Sequence, residues 1–180
     1  MGSRVVVGVV VAVPEPHASV LAGWRRHIDG NEGVAIPPHV TLLPPTVLDL
    51  HNIDEVELHL ERAATNVAPF TIRLSGTGTF RPLSQVVFVQ VSAGIAQCEL
   101  LERLVRRGPV VRETEFPYHP HVTVGHDVAD ESLDAAFVGL RDFVAQFTVD
   151  EFVMHVQDDD GVWRIRRRFA LTGPKPDVAR

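Results

Sequence analysis

Two short segments of the chain carry the same pattern. Pro38-His39-Val40-Thr41-Leu42 and Pro120-His121-Val122-Thr123-Val124 each set an imidazole two residues ahead of a hydroxyl. In a strand, residues i and i+2 share a face, so each histidine stands beside its threonine while Val40, Leu42, Val122 and Val124 turn the other way. Two imidazoles with pKa near ~6.5 can divide acid and base work near neutrality. Two hydroxyls beside them can donate hydrogen bonds to phosphate oxygens. If the two pairs face each other across a cleft, they supply what phosphoryl transfer at a phosphodiester needs without a metal. A pair of buried structural histidines is the bland rival, and the duplicated threonine partners argue against it. A metal pair is the other rival, but neither segment supplies a carboxylate at ligand spacing and threonine is a poor ligand.

These segments need strands to present them, and the surrounding pattern provides them. Val5 to Val13 is a valine-rich run that reads as a strand buried on both faces. It is too short to span a bilayer as a helix, and it leads into Pro14-Glu15-Pro16 with no cleavage pattern. Met1-Gly2-Ser3 lacks the hydroxyl at position 6 that myristoylation needs, so a cytoplasmic location is expected. His17 to Ile28 has helical spacing, ended by Asp29-Gly30-Asn31, and Pro37-Pro38 forces an extended entry into His39–Leu43, stopped by Pro44-Pro45. A helix over Asp54–Asn66 and a strand over Phe70–Leu74 follow, with Ser75–Thr79 as a turn.

The second half repeats the order. Gln85–Val91 reads as a strand, Gln97–Arg107 as a helix, and His121–Val124 as the second motif strand. Asp130 to Gln146 has the most regular apolar stripe, with Asp130 at its N-cap, and predicts one long helix. Phe147–Val156 and Val162–Leu171 read as strands joined by an Asp158–Gly161 hairpin. No linker separates the halves, which predicts one bilobal domain over residues 1–172 and a flexible tail over 173–180.

Composition narrows the function classes. The chain has 180 residues and a net charge of −6, which suits one domain with a real core and disfavours bulk electrostatic capture of long nucleic acids. Its one cysteine, Cys98, excludes a multi-thiolate zinc site and reads as a small buried apolar residue. Arg164, Arg166 and Arg168 alternate along the last strand, as a phosphate-facing stripe or, more simply, a solvated face. Asp158-Asp159-Asp160 reads as an acidic hairpin tip rather than a calcium loop. Phe80, Phe116 and Tyr118 could wall the cleft or stack a base, or simply pack. His119 and His126 flank the second motif and could contact substrate, but read more simply as exposed strand ends, and His17, His27, His51, His59 and His155 read as surface or structural.

The paired motifs resemble the two-histidine (2H) phosphoesterases, the 2′-5′ RNA ligase-like or RNA 2′,3′-cyclic phosphodiesterase family, whose signature is two His-x-Thr/Ser motifs about one lobe apart. Phe80 ahead of the Val86–Val91 strand and Phe116-Tyr118-His119-Pro120 ahead of the second motif are also similar to that family. The resemblance implies an α+β fold with two mainly antiparallel sheets related by a pseudo-two-fold, helices on the outer faces and a central cleft. It implies metal-independent hydrolysis of a 2′,3′-cyclic phosphate to a 2′-phosphate, with 2′-5′ ligation in some members. His121 would then be the base and His39 the acid, or the reverse, with Thr41, Thr123, Tyr118 and Phe80 binding substrate. The expected partner is a nucleotide or RNA-end cyclic phosphate, with no cofactor, no metal, no membrane and no extended nucleic acid, acted on by a monomer. The alternative is a non-catalytic module that binds a nucleotide or RNA end in the same cleft. Many RNA-processing members carry a basic residue soon after a motif; here Leu43-Pro44-Pro45 and Gly125-His126 follow instead.

Overall fold

The computed structural model describes residues 4–29, 35–110 and 116–175. The first half runs β1 (Arg4–Ala12), α1 (His17–Asp29), β2 (His39–Asp49), a 3-10 turn (Leu50–Asn52), α2 (Ile53–Ala64) and β3 (Phe70–Thr79). The second runs β4 (Val86–Ala93), α3 (Ile95–Val105), β5 (His121–His126), α4 (Asp130–Gly139), β6 (Val144–Val149), β7 (Glu151–Gln157) and β8 (Trp163–Ala170). The strands form two antiparallel four-stranded sheets, in the orders β2-β1-β7-β8 and β5-β4-β3-β6. The fold is α+β and bilobal, and both motif strands occupy the same place in it: an edge, beside the strand that opens their own βαβ unit.

Val7, Val9 and Val11 of β1 join the main core, which draws on both sheets through Leu42, Ile72, Leu74 and Phe152 and on the helices through Leu60, Leu101 and Leu133. Val10, on the opposite face of β1, packs with Ile36, Val153 and Trp163. The valine run is therefore buried on both sides, as its composition predicts. The helices are exchanged between the sheets. α1 leaves the first sheet yet packs on β5 and α4, while α3 leaves the second sheet and packs on β2 and α2. No helix among the described residues is long and apolar enough to cross a membrane.

Four expectations about elements are corrected. β2 does not stop at Pro44-Pro45 but runs to Asp49. It is an edge strand, and the ladder skips from Val9↔Leu43 to Val7↔Thr46, so the prolines sit where no N–H is needed. β3 runs through the Ser75–Thr79 turn, absorbing it as a register shift between Leu74 and Thr77 with Gly76 at φ 75°. The long fourth helix ends at Gly139, its N-cap is Ala129 rather than Asp130, and Val144 is exposed. There the 3.6-residue stripe loses to strand pairing, because Val144–Gln146 extends the ladder along β3 through Ser75↔Val144 and Arg73↔Gln146. The last long strand divides at Asp150 into β6 and β7, which lie in different sheets. As a result the lobes are not the halves of the sequence: β3 joins the second sheet, and β7–β8 return to the first. Gly30-Asn31 and the last five residues fall outside the described residues, and Gly173 donates to the Val67 carbonyl at 3.0 Å.

Candidate active site

Along both motif strands the period-two alternation holds. Val40, Leu42, Val122 and Val124 are fully buried, whereas His39, Thr41, His121 and Thr123 are half-buried. The proline before each histidine has a specific part in this. Pro37 and His119 each precede a proline and are thereby biased to extended backbone. Their carbonyls receive the imidazoles: His39 Nδ1 donates to Pro37 O at 2.7 Å, and His121 Nδ1 to His119 O at 2.6 Å. A carbonyl only accepts, so each ring carries its proton on Nδ1 and leaves Nε2 for other work. The two imidazoles are held by the same device.

Each motif strand is braced from a distant element. Arg25 of α1 donates from Nε and Nη2 to Thr123 O at 3.0 and 2.7 Å, and from Nη1 to Ile36 O at 3.0 Å. Tyr118 donates its hydroxyl to Thr41 O at 2.9 Å. The carbonyl of each motif threonine is thus fixed from outside its own sheet, and β2 and β5 are in contact with each other. Arg25 was not legible as a site residue, since nothing in an isolated helix marks one arginine as a brace for a strand far along the chain.

Around His121 lies an aromatic wall. Phe80 meets its ring edge-on at 5.1 Å, Phe88 lies 4.9 Å away, and His119 stacks on it at 5.9 Å. Phe88, which sequence reasoning passed over as one more strand residue, is buried on β4 opposite Thr123. Its ring crosses Gly78 on β3, where a Cβ would come within 2.5 Å of it. Glycine at 78 is what lets the ring lie flat. Beside this wall opens a cavity of about 560 Å³ with Thr41 and His121 on its lining, along with Phe80, Tyr118, Phe116 and Leu83. His39 and Thr123 lie outside that lining.

Burial shapes the electrostatics. It pulls His39 down to about 4, partly opposed by the hydrogen bond to Pro37 and reinforced by the charge of Arg25 and by His155 and His121. His121 is also lowered by burial, against its bond to His119. Both imidazoles therefore favour the neutral form in the open cleft. His155 on β7 is 5% exposed, its Nδ1 has no hydrogen-bond partner, and burial lowers it too.

The remaining sequence candidates disperse. A register shift between Met154 and His155 breaks the arginine stripe. Arg164 pairs with Asp158 and Asp160, Arg166 and Arg167 with Glu57, and Arg168 with Glu151. These arginines hold the sheet edge to α2 and to its own hairpin. His126 is exposed beside Asp127, and His59 donates to Leu104 O at 2.9 Å, closing the last turn of α3. Cys98 is fully buried, with its thiol pushed up to about 12. Among the described residues no group of three or more His, Cys, Asp or Glu could hold a metal ion.

Comparison with known proteins places the chain in a family and matches its fold. Residues 13–161 match the family described as the 2′-5′ RNA ligase superfamily. A Geobacillus kaustophilus protein that carries a provisional phosphoesterase name is 27% identical over 171 residues, covering 92% of this chain and 96% of its own. A Bacillus mycoides protein named in the same way is 25% identical over 167 residues, with the same coverage of each chain. Among solved structures, Escherichia coli LigT complexed with NADP+ superposes with a TM-score of 0.72 at 21% identity, over 94% of this chain and 99% of that one. TT0787 of Thermus thermophilus gives 0.63 at 21% identity, over 94% and 100%.

Proposed function

The chain belongs to the 2′-5′ RNA ligase superfamily, enzymes of phosphodiesters, and on that premise we propose that it is a metal-independent phosphodiesterase opening a 2′,3′-cyclic phosphate to a 2′-phosphate. The observation that carries this is the matched pair of hydrogen bonds from His39 and His121 Nδ1 to Pro37 and His119 carbonyls. They fix one tautomer in both rings and free both Nε2 atoms for proton transfer.

In the proposed reaction, water attacks phosphorus while the Nε2 of one motif imidazole takes its proton. The bond from phosphorus to the 3′-oxygen breaks, and the other motif imidazole supplies the proton that oxygen needs. Thr41 and Thr123 donate to the non-bridging oxygens as charge builds there. A 5′-hydroxyl in the place of the water would form a 2′-5′ linkage by the same steps. The LigT structures complexed with 3′-AMP, ATP and NADP+ make a nucleoside 2′,3′-cyclic phosphate the natural first substrate on which to test the reaction.

The test is turnover of a nucleoside 2′,3′-cyclic phosphate in excess EDTA, with the product identified by phosphorus NMR. The expected result is undiminished formation of the 2′-phosphate alone. Binding without turnover would leave the non-catalytic module in its place, and loss of activity restored by one divalent ion would move the reading to a metal enzyme.

A further inference from the structure

The cavity beside His121 has a composition that bears on which phosphodiester fits. Because Thr41 and His121 stand on its lining, it is placed to receive a substituent of the reacting phosphate on that side. At about 560 Å³ it has the volume of a small-molecule site. Its walls are Leu42, Pro44, Phe80, Phe116, Pro117 and Tyr118. Leu83 and Phe116 are 80% and 57% exposed there, apolar surface held open at the mouth.

Two of the polar side chains in the lining are already engaged, while Ser84 and His119 also stand on it. The Tyr118 hydroxyl is bonded to Thr41 O, and Arg106 donates to Glu102 at 2.6 Å. An oligonucleotide entering here would bring a phosphate every residue, and each would need a cation to replace its counterions. Among the described lining residues the arginine present is already matched by a carboxylate. A nucleobase would fit the walls but would find few partners for its polar edge, and an unmatched polar edge costs binding.

We propose that this cavity takes a large, uncharged, apolar substituent of the substrate, so that the enzyme acts on a small apolar phosphodiester rather than on the end of an RNA chain. The proposal rests on the phosphodiesterase reading above and names the substrate class for that same site.

Four cyclic phosphates separate the possibilities: glycerol 1,2-cyclic phosphate, its 3-O-benzyl ether, cytidine 2′,3′-cyclic phosphate, and a dinucleotide ending in a 2′,3′-cyclic phosphate. The benzyl ether is expected to exceed the glycerol compound in kcat/KM by ~10- to 100-fold, the worth of burying one ring, and to exceed both nucleotides. The substitution Leu83→Glu, at a position too exposed to disturb folding, should cut the benzyl-to-glycerol ratio at least several-fold. A benzyl ether no better than glycerol overturns the proposal, and so does a preference for either nucleotide. If none of the four is hydrolysed, the phosphodiesterase reading fails by itself. The same ranking is then read from calorimetric Kd values for the four compounds, with the same outcomes deciding.

Discussion

Each motif histidine is subject to two opposed effects, burial favouring the neutral ring and a carbonyl bond at Nδ1 favouring the charged one, and in both cases burial wins. This sets an expectation for pH. The kcat/KM profile reports the free enzyme, which in the proposed reaction must hold one neutral and one protonated imidazole. With His39 at about 4 and His121 below its ordinary value, that window lies on the acid side of ~6.5. A bound phosphate anion favours protonation of both rings, so the kcat profile should be shifted toward neutrality relative to kcat/KM. A kcat/KM maximum above about pH 7 would contradict this placement of the pair. The limbs belong to the coupled pair and not to either ring. Substitution supplies the other test: His39→Ala and His121→Ala should each lower kcat by ~10²–10⁴-fold in folded protein. The double variant should be little worse than the poorer single one, because the two rings work as a unit. Near wild-type turnover in both single variants would remove them from the chemistry.

At the scale of elements, the site depends on braces. Arg25 ties α1 to the Thr123 carbonyl, and Tyr118 ties the second motif's approach to the Thr41 carbonyl. Tyr118→Phe removes one donor from a half-buried carbonyl and should cost ~0.5–1.5 kcal/mol in urea denaturation. If Tyr118 instead bonded substrate with its hydroxyl, KM would move and stability would not. Gly78→Ala should act through the Phe88 ring. The added methyl overlaps that ring, which must shift against His121, so ~1–3 kcal/mol of stability should go together with a fall in kcat. A variant with unchanged Tm and kcat would show that the ring has room. Neither the braces nor this packing was legible in the sequence, because both join residues that only a completed sheet brings together. The motif strands were legible, since alternation of buried and half-buried residues is a local property of four consecutive side chains.

For the whole molecule, exchange of α1 and α3 between the sheets makes each sheet's cover depend on the other, so the cleft and the core are stabilised together. His39, His121 and His155 all resist protonation in the folded chain. Below ~6.5 the unfolded chain binds more protons at these positions than the folded one, so their contribution to stability rises with pH and is lost on acidification through that window. The urea midpoint is therefore expected to be lower at about pH 5 than at about pH 7.5, with a smaller difference in His39→Gln. Equal midpoints at the two values would show that these rings protonate freely in the fold. Glu57 acts in a separate, more acidic window. Burial would raise it, but Arg166 and Arg167 hold it below its ordinary value, and that stabilisation is lost only as pH falls through the carboxylate range.

Taken alone, the sequence determined which strands carry the two His-x-Thr pairs and the order of most elements, because a His-x-Thr pair on a strand and a valine run are patterns written in neighbouring residues. It also determined that the unit repeats, with β1-α1-β2 answered by β4-α3-β5. Tertiary structure decided what depends on distant partners. Whether Val144–Gln146 finishes a helix or starts a strand is settled by pairing with Arg73–Ser75, and whether Pro44-Pro45 ends β2 is settled by its place on a sheet edge. The division of strands between the sheets followed the same rule, since β3 and the β7–β8 hairpin went to the sheet that could pair and cover them rather than to their own half of the chain. The apolar cavity is the last such case: residues from β2, from the Phe80–Ser84 turn, from α3 and from the approach to β5 form it, and no local pattern in any one of them foretells it.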